Sequence, residues 1–171
     1  MCNKKLLITE SYRELNRRLH SDNPAYGVSG QKYAAVVRQL MDHRQTADVL
    51  DYGCGKRTLE SALGTEIRNY DPAIEGLDAE PMPAQIVACT DVLEHIEPDC
   101  LDGLLAEIRR CTLGTAVLVI STRAAKKFLA DGRNTHLIQE SGRWWTERLW
   151  SAGFMIRQYA DMGGELQVLV E

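Results

Sequence analysis

The sequence contains no long apolar run. Its longest, Ala116 to Ile120, is five residues, against the ~20 that a membrane-spanning helix needs. It also lacks any CxxC pair. Cys2, Cys54, Cys89, Cys100 and Cys111 are scattered and odd in number, which speaks against a zinc ribbon or a disulfide framework and fits a reduced, cytoplasmic setting. The start, MCNKKLLITE, turns charged almost at once, so no secretory leader is expected. Internal repeats, low-complexity segments and long linkers are missing too. The 171 residues therefore read as one domain, 1–171, with a helical cap over 1–44 and an α/β core over 45–171. A chain of this size buries about 70% of its unfolded surface and needs no covalent staples.

A continuous basic footprint for duplex nucleic acid is absent as well. Net charge is −4, and its distribution is uneven. Residues 45–108 hold three Lys/Arg against fourteen Asp/Glu, a net of −11, between two mildly basic ends. A duplex-binding protein concentrates cations on one face.

What is present is a change of rhythm. Thr9 and Ser11 are candidate caps for a first helix, with Tyr12, Leu15 and Leu19 at helical spacing. Pro24 ends it. A second helix is expected from Gln31 to His43. Then strands and helices alternate. Strands are expected at 47–52, 67–70, 86–89 and 116–121, and helices at 58–63, after Pro98, and around Trp144, Trp145 and Trp150. The three tryptophans are expected to pack in the core. Two final strands, 154–159 and 166–170, flank Asp161-Met162-Gly163-Gly164, a hairpin signal. This order implies a mostly parallel sheet with helices on both faces and an antiparallel C-terminal hairpin strand. In such sheets ligands bind beyond the carboxyl ends of the strands. Function is therefore expected at Asp51 to Gly55, at Asp71, at Thr90 to His95, and from Thr122 onward.

The segment Val49-Leu50-Asp51-Tyr52-Gly53-Cys54-Gly55-Lys56 carries the most information. A strand feeds a Gly-x-Gly turn and then a helix, so a ligand can lie against the backbone. Thr58 stands where a dinucleotide fingerprint has its third glycine. Asp51 can accept hydrogen bonds from an ammonium group. Asp71, ending the next strand, can accept both hydroxyls of a ribose. One strand later, Cys89-Thr90-Asp91-Val92-Leu93-Glu94-His95 turns polar where a buried strand emerges.

Together, VLDYGCGKRTL, NYDP and IVACTDVLEHIEP resemble the class I S-adenosylmethionine-dependent methyltransferases over residues 45–171. The resemblance implies a Rossmann-like fold and S-adenosyl-L-methionine as cofactor. It carries the first motif onto Asp51, Gly53 and Gly55, with Tyr52 and Cys54 between them. It carries the ribose acid onto Asp71, followed by Pro72, and the later motif onto Thr90, Asp91 and Val92. In relatives, a segment like that at Tyr26 and Gly27 folds over the cofactor. His136, the Trp-bearing helix and Ala152-Gly153-Phe154 match the family's C-terminal pattern. One departure is plain: the family's fourth strand, at Ile86, begins only fifteen positions after Asp71 at the end of the second. The family's third strand and its helices do not fit there, so no full helix is expected from 72 to 85. The Asn/Asp-Pro-Pro-Tyr/Phe motif of amino-directed DNA methyltransferases and a Pro-Cys nucleophile are both missing. Cys54 and Cys89 read as small buried residues.

A sulfonium methyl is already activated, so the protein must hold the acceptor in line with the C–S bond. A base is needed only if the acceptor loses a proton. Candidates are Asp91, Glu94, His95 and His136, of which His95, His136 and Asp91 are taken as catalytic. The polar loop Asp131 to Gln139 is the expected acceptor site, with Arg133, Asn134 and His136 as substrate-binding residues. With Arg123, Lys126 and Lys127 it suits an anionic acceptor. The expected activity is methyl transfer to a small-molecule or nucleotide-like acceptor. The alternatives are a nucleic-acid methyltransferase, a non-catalytic cofactor-binding subunit, and a metal-assisted enzyme using Glu94, His95 and His136. No tight His/Cys spacing supports the last, so no metal is expected.

Overall fold

The computed structural model describes residues 6–171. Cys2 and the basic start discussed above lie outside them. Six strands form one sheet: β1 (Val49–Tyr52), β2 (Arg68–Tyr70), β3 (Ala84–Thr90), β4 (Thr112–Ser121), β5 (Ile156–Asp161) and β6 (Glu165–Val170). Their order is β2-β1-β3-β4-β6-β5. The first four pair in parallel, and β6 runs antiparallel to both β4 and β5. The helices are α1 (Glu10–Asp22), α2 (Ala34–Arg44), α3 (Thr58–Leu63), α4 (Leu101–Cys111) and α5 (Gly142–Ser151).

The middles of the two central strands, 86–89 and 116–120, are apolar because both faces are covered. Their period of two sorts the side chains. Val87 and Cys89 of β3, with Leu118 and Ile120 of β4, join Leu105 and Ile108 of α4 and Trp145 and Leu149 of α5. Ile86 and Ala88, with Val117 and Val119, face the opposite way onto Val37 of α2 and Leu59 and Leu63 of α3. Each fully buried Leu or Ile contributes roughly 1.5–3 kcal/mol relative to exposure.

Residues 72–83 contain no helix. They form turns, held where the Asp71 N–H donates to the Leu77 carbonyl (2.9 Å). The shortened connection thus lies where the sequence puts it. Three expectations change. The second α-helix begins at Ala34, because Ser29–Tyr33 forms a 3₁₀ turn. Trp150 is 76% exposed, while Trp145 is the tryptophan of the core. The buried face of α1 is Tyr12 and Asn16 rather than a leucine stripe. Those residues and His20 recur every four positions and line a cavity at the carboxyl ends of the strands. Thr9 caps α1 by accepting from the Tyr12 N–H (3.2 Å).

Candidate active site

The cavity encloses about 530 Å³, within the range of small-molecule sites. Its floor is the end of β1. Gly53 has φ +80, and a Cβ there would stand 2.4 Å from Val92 Cγ2. Gly55 has φ +50, and its Cβ would stand 2.6 Å from the Gly27 carbonyl oxygen. The two glycines are therefore required by the protein's own packing. The Tyr26-Gly27 loop lies directly on the glycine turn, where the Lys56 N–H donates to the Gly27 carbonyl (2.8 Å).

Asp71 anchors that turn. Its Oδ2 accepts from the Gly55 N–H (3.1 Å) and its Oδ1 from the Ala73 N–H (2.9 Å). Each oxygen keeps a further lone pair for a hydroxyl. His20 Nε2 comes within 4.0 Å of Asp71 Oδ2. Burial lowers the His20 pKa and the Asp71 charge opposes that shift. Asp51 is buried, and its Oδ2 has no hydrogen-bond partner. Burial, then the charges of Asp71 and Glu60, push its pKa up to about 7. An unpartnered carboxylate oxygen beside this cavity is a place for a ligand's ammonium group.

Tyr26 projects between the two ends of the cavity. Its ring meets His20 edge-on (4.7 Å between centroids) and approaches His95 (5.9 Å). Its hydroxyl donates to Asn16 Oδ1 (3.1 Å). Lys127 Nζ lies over the ring at 5.4 Å and donates to the Ala25 carbonyl (2.8 Å), tying the N-terminal loop to the loop after β4.

The far end begins where β3 stops. Asp91 takes a left-handed conformation, φ +54, which costs a non-glycine residue about 1–2 kcal/mol. Glu94 is completely buried. Its Oε1 accepts from the Ser121 N–H (2.9 Å), while Oε2 has no partner. Burial, then the Asp91 charge, raises its pKa to about 8. Burial, then His136, lowers the His95 pKa to about 3, so this imidazole is neutral near pH 7. The His95 and His136 rings meet edge-on with centroids 4.7 Å apart. The Tyr12 hydroxyl donates to the His95 carbonyl.

The structure brings most of the candidate residues into this one cavity. Tyr26, Gly27, Asp51, Gly53, Cys54 and Gly55 line one part, and Asp71 and Pro72 adjoin them. Thr90, Asp91, Val92, His95 and His136 line the other. Tyr52 does not: its ring is buried against Tyr70 (4.8 Å between centroids). Arg133 and Asn134 also fall outside. Arg133 pairs with Asp131 (2.7 Å) and lies over the Tyr12 ring. Asn134 spends its amide on the backbone, donating to the Ala125 carbonyl (2.9 Å) and accepting from the Ala125 and His136 N–H groups. It shapes the loop that presents His136. Arg123, Lys126 and Lys127 line the cavity in their place. Asn16, His20 and Glu165 escaped sequence reading, and Tyr12 was read only as part of the apolar face of the first helix. For α1 the signal was the i, i+4, i+8 spacing of its polar residues, which the leucines mask.

A methyltransferase-domain model matches residues 26–159, most of the chain. The chain belongs to the class I S-adenosylmethionine-dependent methyltransferases. No curated protein matches it. Solved structures share its fold. A 1,6-didemethyltoxoflavin-N1-methyltransferase of Burkholderia thailandensis, holding its substrate and S-adenosylhomocysteine, superposes with TM-score 0.70 at 15% identity, over 96% of this chain and 90% of that one. DhpI bound to S-adenosylhomocysteine gives 0.60 at 21%, over 93% and 95%. A TehB-like S-adenosylmethionine-dependent methyltransferase of Corynebacterium glutamicum gives 0.56 at 16%, over 94% and 96%. Among the described residues no helix is long and apolar enough to cross a membrane.

The methyltransferase uses S-adenosylmethionine, and its residues fit that cofactor. The partnerless Asp51 oxygen suits the methionine ammonium, and the spare lone pairs of Asp71 suit the ribose.

Proposed function

We propose that this methyltransferase modifies a small acceptor that carries an anionic group, and that the acceptor's nucleophilic atom sits against the corner formed by His95 and His136, with Glu94 buried behind them. The observation behind this reading is the asymmetry of the cavity. One end holds the acids Asp51 and Asp71, suited to the cofactor; the rest of the lining holds the two histidines and the cations Arg123, Lys126 and Lys127, which outnumber the acids Asp91 and Glu165 there. Neither Arg123 nor Lys126 makes an ion pair among the described residues, so both are available to an anion.

Bound cofactor supplies an activated methyl group on sulfur. The chain's own task is alignment, which supplies much of the rate in such transfers. Tyr26 and Gly27 cover the cofactor from the N-terminal side and exclude water. Asp91, at the strained start of the loop after β3, lines the same cavity. The histidine corner draws the proton from the acceptor as the new bond forms. His136 is set for this: its Nδ1 lies 2.6 Å from the Arg123 carbonyl. A carbonyl only accepts, so the proton resides on Nδ1 and the Nε2 lone pair is free.

The test is a screen of small phosphorylated and carboxylated hydroxy compounds, read by S-adenosylhomocysteine formation. Acceptors with an anionic group should be turned over, and Arg123→Ala with Lys126→Ala should raise their KM with little change in kcat. Preference for uncharged acceptors, with KM unaffected in the double variant, would reject the anionic assignment.

A further inference from the structure

We propose that Glu94, His95 and His136 bind one divalent transition-metal ion of the zinc or cobalt class at the acceptor end of the cavity. One ligand atom from each residue lies within 4.8 Å of the others. Two of the three residues also carry a separate mark of an unmet partner. Glu94 is fully buried, yet its Oε2 has none. His95 Nδ1 is buried and equally without one. Buried polar atoms in native proteins are overwhelmingly satisfied, and here two neighbouring residues of the trio each hold one that is not.

The surrounding bonds leave each lone pair available. His136 Nδ1 donates to the Arg123 carbonyl. A second bond of this kind is what orients a metal-binding imidazole. The His95 ring hydrogen-bonds the Thr135 backbone while Nδ1 has no partner. Glu94 is steadied through Oε1 by the Ser121 N–H, and its carbonyl accepts from the Ile138 N–H (3.0 Å). Asp91 and Glu165 line the same cavity and offset the nearby cations. Ligand atoms ~2.0–2.2 Å from a shared ion stand about 3–3.5 Å apart, so binding draws the three side chains together by about an ångström. Two imidazoles and one carboxylate favour zinc, cobalt, nickel or iron over magnesium. Three protein ligands leave a position open.

Metal binding stands on this geometry alone; its part in turnover rests on the reading that the acceptor meets this corner. With the ion bound, the His136 Nε2 lone pair is occupied and no longer serves as the base; an acceptor hydroxyl on the open position would instead release its proton to water more readily. Its oxygen would then form the C–O bond as the C–S bond breaks, with the electron pair staying on sulfur in S-adenosylhomocysteine.

The experiment is equilibrium dialysis of the full chain against Zn2+ and Co2+, without cofactor, with metal analysis and the visible spectrum of the cobalt form. We expect one ion per chain and the intense bands of low-coordinate Co2+. His136→Ala and Glu94→Gln should each weaken binding by ~10-fold or more, and excess Mg2+ should not compete. His43→Ala, at an exposed histidine far along the chain, should bind as the wild type. S-adenosylhomocysteine affinity, measured by calorimetry, should be unchanged in His136→Ala. His136 sits on a loop, so that variant is informative even if the buried Glu94→Gln variant does not fold. Less than one ion per chain, or undiminished binding in His136→Ala, would overturn the proposal. Either result would leave methyl transfer to an anionic acceptor standing, since that is read separately by product formation.

Discussion

The two ends of the cavity are built differently. The cofactor end is made from two short stretches, Asp51 to Gly55 and Asp71 to Ala73, which follow neighbouring parallel strands. Its geometry is set by backbone turns: Gly53 and Cys54 N–H groups both donate to the Tyr70 carbonyl (2.7 and 3.0 Å). The acceptor end is assembled from α1, the 3₁₀ turn Leu93–His95, and the loop between β4 and α5. Side chains and a few long-range hydrogen bonds hold it. Substitutions at the first end should therefore disturb folding and cofactor binding together. At the second end they should separate chemistry from stability.

The largest effect is expected at Gly55. In Gly55→Ala the new Cβ meets backbone at 2.6 Å and inherits a φ of +50. Strain and overpacking together cost about 2–5 kcal/mol. Cofactor affinity and melting temperature should fall together, and calorimetry with thermal unfolding reads both. If both are unchanged, the close approach of the Tyr26-Gly27 loop is not present in solution.

His136→Ala should come next, with turnover ~10²–10⁴-fold lower and cofactor affinity nearly intact. Matching losses in the two would erase the contrast between the ends.

Asp71→Ala should weaken S-adenosylmethionine binding by ~10-fold or more, given ~1.5–3 kcal/mol for each charge-assisted hydrogen bond. The melting temperature should fall too, because the Gly55 and Ala73 N–H groups lose their acceptor. Reduced affinity with unaltered stability would mean that the carboxylate serves the ligand alone.

Asp51 sharpens the comparison through pH. Its pKa rises from an ordinary 3.8 to about 7 in the folded chain. Below pH 4 folded and unfolded states both hold the proton. As pH climbs toward 7 the unfolded state releases it first, so the unliganded protein loses stability across that window. The full extent is on the order of 4 kcal/mol. Cofactor affinity should move oppositely, rising through about pH 7 as the carboxylate ionises against the ammonium. Asp51→Asn should flatten both profiles; a persistent slope in the variant would point to another group.

Arg133→Ala should do least. Its guanidinium is committed to Asp131 and Tyr12 outside the cavity, and exposed ion pairs contribute little. A steady-state assay showing a raised acceptor KM would restore this arginine to the site.

The cofactor end was legible in the sequence because its parts are local. A strand, a Gly-x-Gly turn and an acid after the next strand keep their spatial relation wherever parallel strands are adjacent. The missing helix between residues 72 and 83 was legible from chain length alone. Arg133 lies outside the cavity, because proximity in sequence to His136 does not say which way a loop side chain points. Asn134, between them, turns the chain so that His136 enters the cavity and Arg133 leaves it. Asn16 and His20 were hidden because a polar stripe on a helix normally faces water, and here it faces a ligand cavity.

The sequence by itself determined the strand and helix order, the glycine turn after the first strand and the family. Those depend on periodicity and on backbone preferences that act within a few residues. Tertiary structure alone decided which polar groups share a cavity. Glu94 and His95 are 42 and 41 residues from His136, and no spacing rule joins them. They meet because the loop after β4 folds back over the end of β3, so that the Ile138 N–H donates to the Glu94 carbonyl.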